Sequence, residues 1–257
     1  MRVRLNQLKR QIIAATTATK EGHIPSAFSI LDIVWVLYDG VMRFNPHDPK
    51  SDDRDRFILS KGHGSLAVYA VLAEKGFFPA EDLARFSTLE SRLGGHPDHN
   101  KVPGIEASTG SLGHGLPFGV GVAMALRIRK VDRRVFVIVG DAECNEGSIW
   151  EAVLLAAHHK LSNLTCIVDY NHSTDRALNM GDLAAKFAAF GWAATTINGH
   201  DHAAIATALL ARDPQKPTAI IAETIKGHGV KQMENNPAWH HRSPSKDELE
   251  AMFQELA

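Results

Sequence analysis

Asp141 and Asn171 are the residues whose types and spacing best fit a chemical task. Asp141 follows the β-branched run VFVIV (135–139) and Gly140, and Asn171 closes the apolar run LTCIVDYN (164–171), 30 residues later. An interval of that size is one strand–helix–strand unit, whose right-handed crossover can bring two parallel strand ends side by side. A carboxylate and an amide carbonyl then converge as hard oxygen ligands, and the backbone carbonyl of Ser173 can supply a third. Such a set suits Mg²⁺ or Ca²⁺ and leaves positions for phosphate oxygens and water. Gly140 permits a tight turn, and backbone N–H groups at the following helix start favour an anion. Taken singly, Asp141 reads better as a helix cap and Asn171 better as a turn residue. Their joint placement favours the metal and anion reading.

A second set is the histidines. His23 (EGHIPS), His63 (SKGHGS), His96 (GGHPD) and His240 (AWHH) all lie in loop-like segments, none on an apolar helix face. A lone loop histidine is usually solvated surface, but a cluster of groups titrating near neutrality suits proton transfer to and from hydroxyl groups. No HxxxH or paired-cysteine spacing ties them into a zinc site. His158 and His159 fall within a helical pattern and read as structural.

These residues must be positioned by regular elements. Residues 3–20 and 28–42 read as helices separated by the turn-like EGHIPSAF, and Leu5, Leu8, Ile12 and Ala15 share one face of the first. RFILS (56–60) reads as a strand, followed by KGHGS and a helix from Leu66 to about Lys75. Residues 87–112 have loop composition, and a loop of that length in a compact domain is usually functional. After VFVIV comes a helix with Ile149, Val153, Ala157 and Leu161 on one side. Then follow the strand 164–171, a helical segment at 181–190, a strand at 193–197, a helix at 202–212, the strand 218–224 and a terminal helix at 245–256. Alternating elements with near-continuously apolar strands imply an α/β fold with a mostly parallel sheet covered by helices on both faces. In such sheets ligands sit at the carboxyl ends of the strands. Gly113, Gly115, Gly119 and Gly121 interrupt the apolar segment 110–127. Glycine is costly in a helix interior unless something approaches closely, here a cofactor at the N-terminal end and a partner subunit further along.

Composition sets the frame. The 257 residues suffice for one substantial α/β domain, read here as a single unit over 1–257. Hydrophobic residues make up 44% and the net charge is −1, so nothing points to nucleic acid or an anionic membrane as partner. No apolar window is expected to span a bilayer, and the N-terminus does not read as a secretory signal. Cys144 and Cys166 are not framed as a disulfide scaffold, so a reducing cytoplasm is expected.

Gly140-Asp141 and Asn171 resemble the thiamine diphosphate signature. The wider sequence is similar to the N-terminal domain of transketolase over essentially its whole length. The segments that carry the resemblance are EGHIPSAFSILDIVWVLY, DRFILSKGHGSLAVYAVL, GGHPD, STGSLGHGL, GDAECNEGSIWEA, DYN and MENNPAWHHRSP, in that order. The resemblance implies thiamine diphosphate and Mg²⁺ as cofactors. It implies that His23 faces the donor substrate, that His63 lies beside the diphosphate, and that His96 contacts donor hydroxyls. Gly110 and Leu112 would pack against the cofactor rings. Glu146 would link the active site across a subunit interface, Ile225 would make an apolar contact to the thiazolium, and His240 would bond both diphosphate and donor. Gly140, Asp141, Ala142 and Asn171 would hold the diphosphate end.

Four positions depart from the family pattern. Ala142 replaces the second glycine of Gly-Asp-Gly, and Pro25-Ser26 replaces a glycine after His23. His114 stands where Gln is common, and His241 stands where glycine is usual. The resemblance implies transfer of a two-carbon ketol unit from a ketose to an aldose. The family's glutamate that protonates the aminopyrimidine lies in a following pyrimidine-binding domain. A second chain carrying that domain is therefore expected, with two copies of each chain. The alternatives are a subunit of a 2-oxo-acid dehydrogenase, a non-catalytic subunit, and a generic nucleotide-binding protein. The last is disfavoured because no GxGxxG or P-loop follows a strand.

Overall fold

The runs VFVIVG and LTCIVDY are apolar at almost every position because both of their faces are covered, and every residue of the first is buried. In the computed structural model, which describes residues 2–175 and 178–257, they form the centre of a five-stranded parallel sheet. The strands are β1 (Arg56–Leu59), β2 (Val135–Gly140), β3 (Leu164–Tyr170), β4 (Ala193–Asn198) and β5 (Thr218–Glu223), in the order β1-β2-β3-β5-β4. β2 and β3 pair from Val135 opposite Leu164 to Gly140 opposite Asp169, so their carboxyl ends are level.

Strand residues alternate between two apolar layers, as a period of two requires. Phe57, Phe136, Ile138, Ile167 and Ile220 face one core. That core is closed by α1 (Arg2–Thr19), α2 (Ile24–Val36), α3 (Ser65–Glu74), α7 (His202–Leu210) and α8 (Lys246–Glu255). Val135, Val137, Val139, Cys166 and Val168 face the other core. It is covered by α4 (Gly115–Ile128), α5 (Gly147–His158) and α6 (Leu183–Ala189). The fold is thus a parallel sheet between two helical layers. Leu5, Leu8, Ile12 and Ala15 of α1 are buried, and Cys144 and Cys166 are buried free thiols.

Three expectations are corrected. EGHIPSAF is not a turn through residue 27, because α2 begins at Ile24 with Pro25 in its first turn. Proline is tolerated there since the first-turn N–H groups have no partner within the helix. Secondly, α2 continues into a π-helical turn, Leu37–Val41, so Ile24–Val41 is long and apolar enough by composition to cross a bilayer. It is instead the central helix of the first core, with 83% of that stretch buried inside the protein. Thirdly, α5 stops at His158, and Leu161 is buried from the connection to β3 rather than from the helix.

One glycine of α4 has a different reason from the partner approach expected of it. A Cβ at Gly119 would lie 2.6 Å from Val137 Cγ2, so this glycine lets the helix backbone sit against β2. Gly121 faces open space. Gly119→Val should therefore lower stability by about 1–3 kcal/mol through overpacking. Gly121→Ala should raise it by up to about 1 kcal/mol through helix propensity. Urea unfolding of the purified variants checks both signs, and a neutral Gly119→Val would contradict the close helix–sheet approach.

Candidate functional site

The carboxyl edge of the sheet carries the site. Asp141 leaves β2 and its N–H donates to the Asp169 carbonyl at 3.1 Å, which joins the ends of β2 and β3. One Asp141 oxygen, Oδ1, accepts from the Ala142 N–H at 2.7 Å. The other, Oδ2, is buried with no hydrogen-bond partner among the described residues. Burial pushes the Asp141 carboxyl up from its ordinary value, and the nearby charge of Asp169 adds to that push. A buried carboxylate oxygen without a donor is costly unless a cation meets it. Asn171 follows β3, and its Nδ2 donates to Asp169 Oδ2 at 3.0 Å and to Ser29 Oγ at 3.2 Å. Both donors are thus turned inward, which fixes the amide. Its Oδ1 accepts from the Ser173 N–H at 3.2 Å and from the Ser173 hydroxyl. Asp141 thus stands at the end of β2 and Asn171 just past the end of β3, side by side as the strand spacing requires, and a carboxylate and an amide carbonyl are donors of the kind that could hold a divalent cation.

Two details of the turn differ from expectation. Gly140 is the last residue of β2 and is absent from the positive-φ glycines, and a Cβ there would meet only ordinary contacts at 3.9 Å. No tight turn demands glycine at that position. Ala142 sits in the short 3₁₀ segment Ala142–Asn145 without a positive φ, so the backbone suits alanine.

Beside the metal end lies a group of imidazoles. The His23 ring centroid is 5.4 Å from that of His63, 5.3 Å from His240 and 4.7 Å from His241. Three of the sequence candidates therefore meet, joined by His241, which pairs with Glu21 at 3.1 Å. Lys226, just past β5, donates to Ser173 Oγ at 3.1 Å and lies 3.2 Å from His240 Nδ1, bridging the imidazoles to the metal end. Burial, then the neighbouring imidazoles, lower the His23 pKa to about 4. Burial and the Lys61 ammonium lower that of His63 to about 2. His240 is lowered by burial and by Lys226. All three rings are neutral near pH 7 and can accept a proton or a hydroxyl hydrogen bond.

His96, Gly110, Leu112 and Glu146 belong to a second lobe. A Cβ at Gly110 would touch the His96 ring at 3.2 Å, and one at Gly62 would strike the Thr109 carbonyl oxygen at 2.8 Å. The KGHGS loop and the 109–115 loop are therefore in close contact. Glu146 is exposed at the start of α5 and packs against Gly113, whose φ is +85°. His114 is exposed and bonds the Leu112 carbonyl at 3.0 Å, outside the imidazole group. The Ile225 N–H donates to His200 Nε2 at 2.9 Å, which holds its backbone to the loop after β4.

Sequence reasoning missed Lys226, Lys61, Asp169, Ser26 and Glu143. Lys61 pairs with the fully buried Asp169, which also accepts from Ser29 Oγ at 2.6 Å and from Thr224 Oγ1. The Asp169 carboxyl lies below its ordinary range because the Lys61 charge and these bonds outweigh the cost of burial. Ser26 Oγ is buried without a hydrogen-bond partner among the described residues. The available signal was position, since Lys61 and Lys226 follow β1 and β5 as Asp141 and Asn171 follow β2 and β3.

Another cluster, Asp32 with His200 and His228, does not read as a metal centre. The two rings stack with centroids 3.7 Å apart and planes 23° from parallel, so their in-plane lone pairs do not converge. His200 Nε2 accepts from Ile225, so Nδ1 carries the proton that it gives Asp32 Oδ2 at 2.9 Å. The cluster fixes backbone instead.

The histidine shifts carry a sign for stability. His23 and His63 have folded pKa values below the ordinary 6.5, so between those values the unfolded chain binds more protons. Stability should therefore fall as pH drops from about 6.5 towards about 4. Urea midpoints measured across that range should decline, and His63→Asn should flatten the slope. An unchanged slope would show that His63 is not buried as a neutral ring.

The family described as transketolase, thiamine diphosphate binding domain, matches residues 4–257 of this chain. One relative, a subunit of the apulose-4-phosphate transketolase of Phocaeicola vulgatus, is 37% identical over 256 residues, covering 97% of this chain and 91% of that protein. A protein of Rhodococcoides fascians named ferredoxin fas2 is 47% identical over 207 residues, covering 80% of this chain and 68% of that protein. The crystal structure of transketolase from Campylobacter jejuni superposes with a TM-score of 0.92 at 30% identity. It covers 99% of this chain, which spans 42% of that longer one. With a metal-fitting strand-end pair beside grouped imidazoles, and a family match along nearly its whole length, the chain belongs to the transketolase family as its thiamine diphosphate binding domain.

Proposed function

We propose that residues 1–257 act as one diphosphate- and metal-binding unit, the first subunit of a split, cytoplasmic transketolase. The complete enzyme moves a two-carbon ketol unit from a ketose to an aldose. The observation that carries this reading is the buried, unpartnered Oδ2 of Asp141 at the strand end next to Asn171, beside the neutral rings of His23, His63 and His240. Bound thiamine diphosphate supplies the electron sink. Asp141, Asn171 and the Ser173 carbonyl hold Mg²⁺. Lys226, His63 and His240 bond the diphosphate, and the buried Ser26 hydroxyl is a further donor. Gly110, Leu112 and Ile225 bound the rings. His23 and His96 orient donor hydroxyls, and the neutral His23 ring accepts a hydroxyl proton.

A second chain supplies the pyrimidine-binding half, in an assembly of two copies of each. Support comes from the Phocaeicola relative, which is named as one subunit of its transketolase. It also comes from Phe118 and Ile128 on α4 and Leu154 and Leu155 on α5, large apolar residues exposed on packed helices. The relative named ferredoxin favours a second reading, in which the chain serves a thiamine enzyme of the 2-oxo-acid type that passes electrons on. Ketol transfer between sugars, assayed against 2-oxo-acid-dependent reduction of an acceptor, separates the two.

Asp141→Ala should abolish Mg²⁺-dependent binding of thiamine diphosphate with the fold intact, because it leaves the diphosphate charge uncompensated. Asn171→Ala should be milder, since the amide contributes no charge. Calorimetric titration with the partner present reads both, and unchanged affinity in the Asp141 variant would remove the metal site. The purified chain alone should show no ketol transfer with cofactor and Mg²⁺ in excess, and adding the pyrimidine-binding chain should restore turnover near a one-to-one ratio. Robust turnover by this chain alone would sink the split arrangement.

A further inference from the structure

Glu143 lies two residues past the metal-end aspartate, and nothing in the proposed chemistry uses it. It is almost fully buried, at 1% exposure. One oxygen, Oε1, accepts from the Gly113 N–H at 2.8 Å and from the Ser60 hydroxyl. The other, Oε2, accepts from the Gly140 N–H at 3.0 Å. Ser60 Oγ in turn accepts from the Gly115 N–H at 3.0 Å. A single carboxylate thus ties together the end of β1, the end of β2 and the glycine loop at 113–115.

The two structures it joins differ in their other support. The turn at 140–141 is held by the sheet itself, through the pairing of Gly140 with Asp169 and the Asp141 N–H bond to the Asp169 carbonyl. The 109–115 loop has no ladder. Apart from Glu143 and Ser60, it is held by Thr109 Oγ1 on the Leu59 carbonyl at 2.6 Å, by the Thr109 N–H on the Pro97 carbonyl at 3.3 Å, by Ser148 Oγ on the Gly113 carbonyl at 2.8 Å, and by the Phe118 N–H on the His114 carbonyl at 3.2 Å where it enters α4. Loss of the carboxylate therefore frees the loop more than the turn.

We infer that Glu143 is a positioning residue that sets the separation between the glycine loop and the diphosphate turn, so that both ends of thiamine diphosphate meet preformed contacts. The inference rests on the proposed reading of this edge as the cofactor site. A carboxylate is required because all three neighbours donate. An amide would turn its own N–H₂ towards a donor and leave that contact repulsive. The metal and diphosphate contacts, which do not pass through the loop, remain in place.

The test separates the two ends of the ligand. The chain combined with its pyrimidine-binding partner is titrated with Mg²⁺–thiamine diphosphate and, separately, with Mg²⁺–pyrophosphate, which has no rings. In Glu143→Gln the dissociation constant for thiamine diphosphate should rise at least about tenfold, as expected for losing hydrogen bonds to a charged group. That for pyrophosphate should change less than about threefold, within the worth of one neutral contact. Ser60→Ala, which removes one arm and keeps the carboxylate, should give the same split at smaller size, and it decides the matter if the Gln variant does not fold. Equal loss for both ligands would show a merely structural role, and no loss for either would show that the loop needs no such tie. Either result overturns the inference. Failure of the unaltered complex to bind either ligand would instead remove the site reading, and the inference with it.

Discussion

The site depends on one buried negative charge. Asp169 is fully buried in β3, and such a charge is tolerated only when it is paired and its oxygens are bonded. Lys61 from the end of β1 supplies the counter-charge, Ser29 comes from α2, Thr224 from the end of β5, and Asn171 from two residues on. Four elements are thereby drawn to one point beneath the strand ends. The cost of burying the pair buys orientation. Because Asn171 spends both amide hydrogens on Asp169 and Ser29, its carbonyl oxygen has to point the other way, towards Ser173 and the metal end.

The charge balance above that point follows from the same arrangement. Lys61 is consumed by Asp169, whereas Lys226 reaches the surface of the site between Ser173 and His240. The imidazoles crowd one another and these two ammonium groups, so protonating any of them is opposed by its neighbours as well as by burial. With the rings uncharged, Lys226 is the ammonium that stands among them at this edge. Uncharged rings also keep nitrogen lone pairs free for hydroxyl groups, which protonated rings could not offer.

What the sequence disclosed and what it hid divide along contact distance. Asp141 and Asn171 were legible because strand runs and a crossover interval are local patterns, and the parallel sheet followed from the same runs. The start of α2 was misplaced because Gly, Pro and Ser suggest a turn, whereas Pro25 fits the first helical turn and Ser26 is buried by tertiary packing. Gly119 was legible as a close approach, but not as an approach to Val137, which is a neighbour only once α4 lies on β2. Asp169 was hidden because it reads as one polar residue inside an apolar strand. Its partners Lys61, Ser29 and Thr224 stand 108, 140 and 55 positions away, and no local period announces them. Glu143 was hidden for the same reason, since its bonds to Ser60 and Gly113 span 83 and 30 positions.

The positions where this chain departs from the family pattern are not spread evenly over that framework. Ala142 lies at the ladder-supported turn, and its backbone accommodates alanine without change. The other three departures lie on parts held by side chains or helix starts. Pro25 and Ser26 open α2, His114 precedes α4 with its ring on the Leu112 carbonyl, and His241 rests between Glu21 and the His23 ring. Of these, Ser26 alone meets the strand-end network, its carbonyl accepting from the Lys61 ammonium at 3.4 Å, a bond made by backbone and open to any side chain at that position. Substitution at His114 or His241 alters exposed side chains around the site without touching the hydrogen bonds that join Asp141, Asp169 and Asn171 at the strand ends. Anchor and pocket are thus mechanically separable, the first fixed by backbone pairing and a buried charge, the second by loops that accept new side chains. A side chain can therefore change on the loops while the anchor keeps its geometry, and His241, whose ring centroid lies 4.7 Å from that of His23, is the departure that packs against the imidazole group.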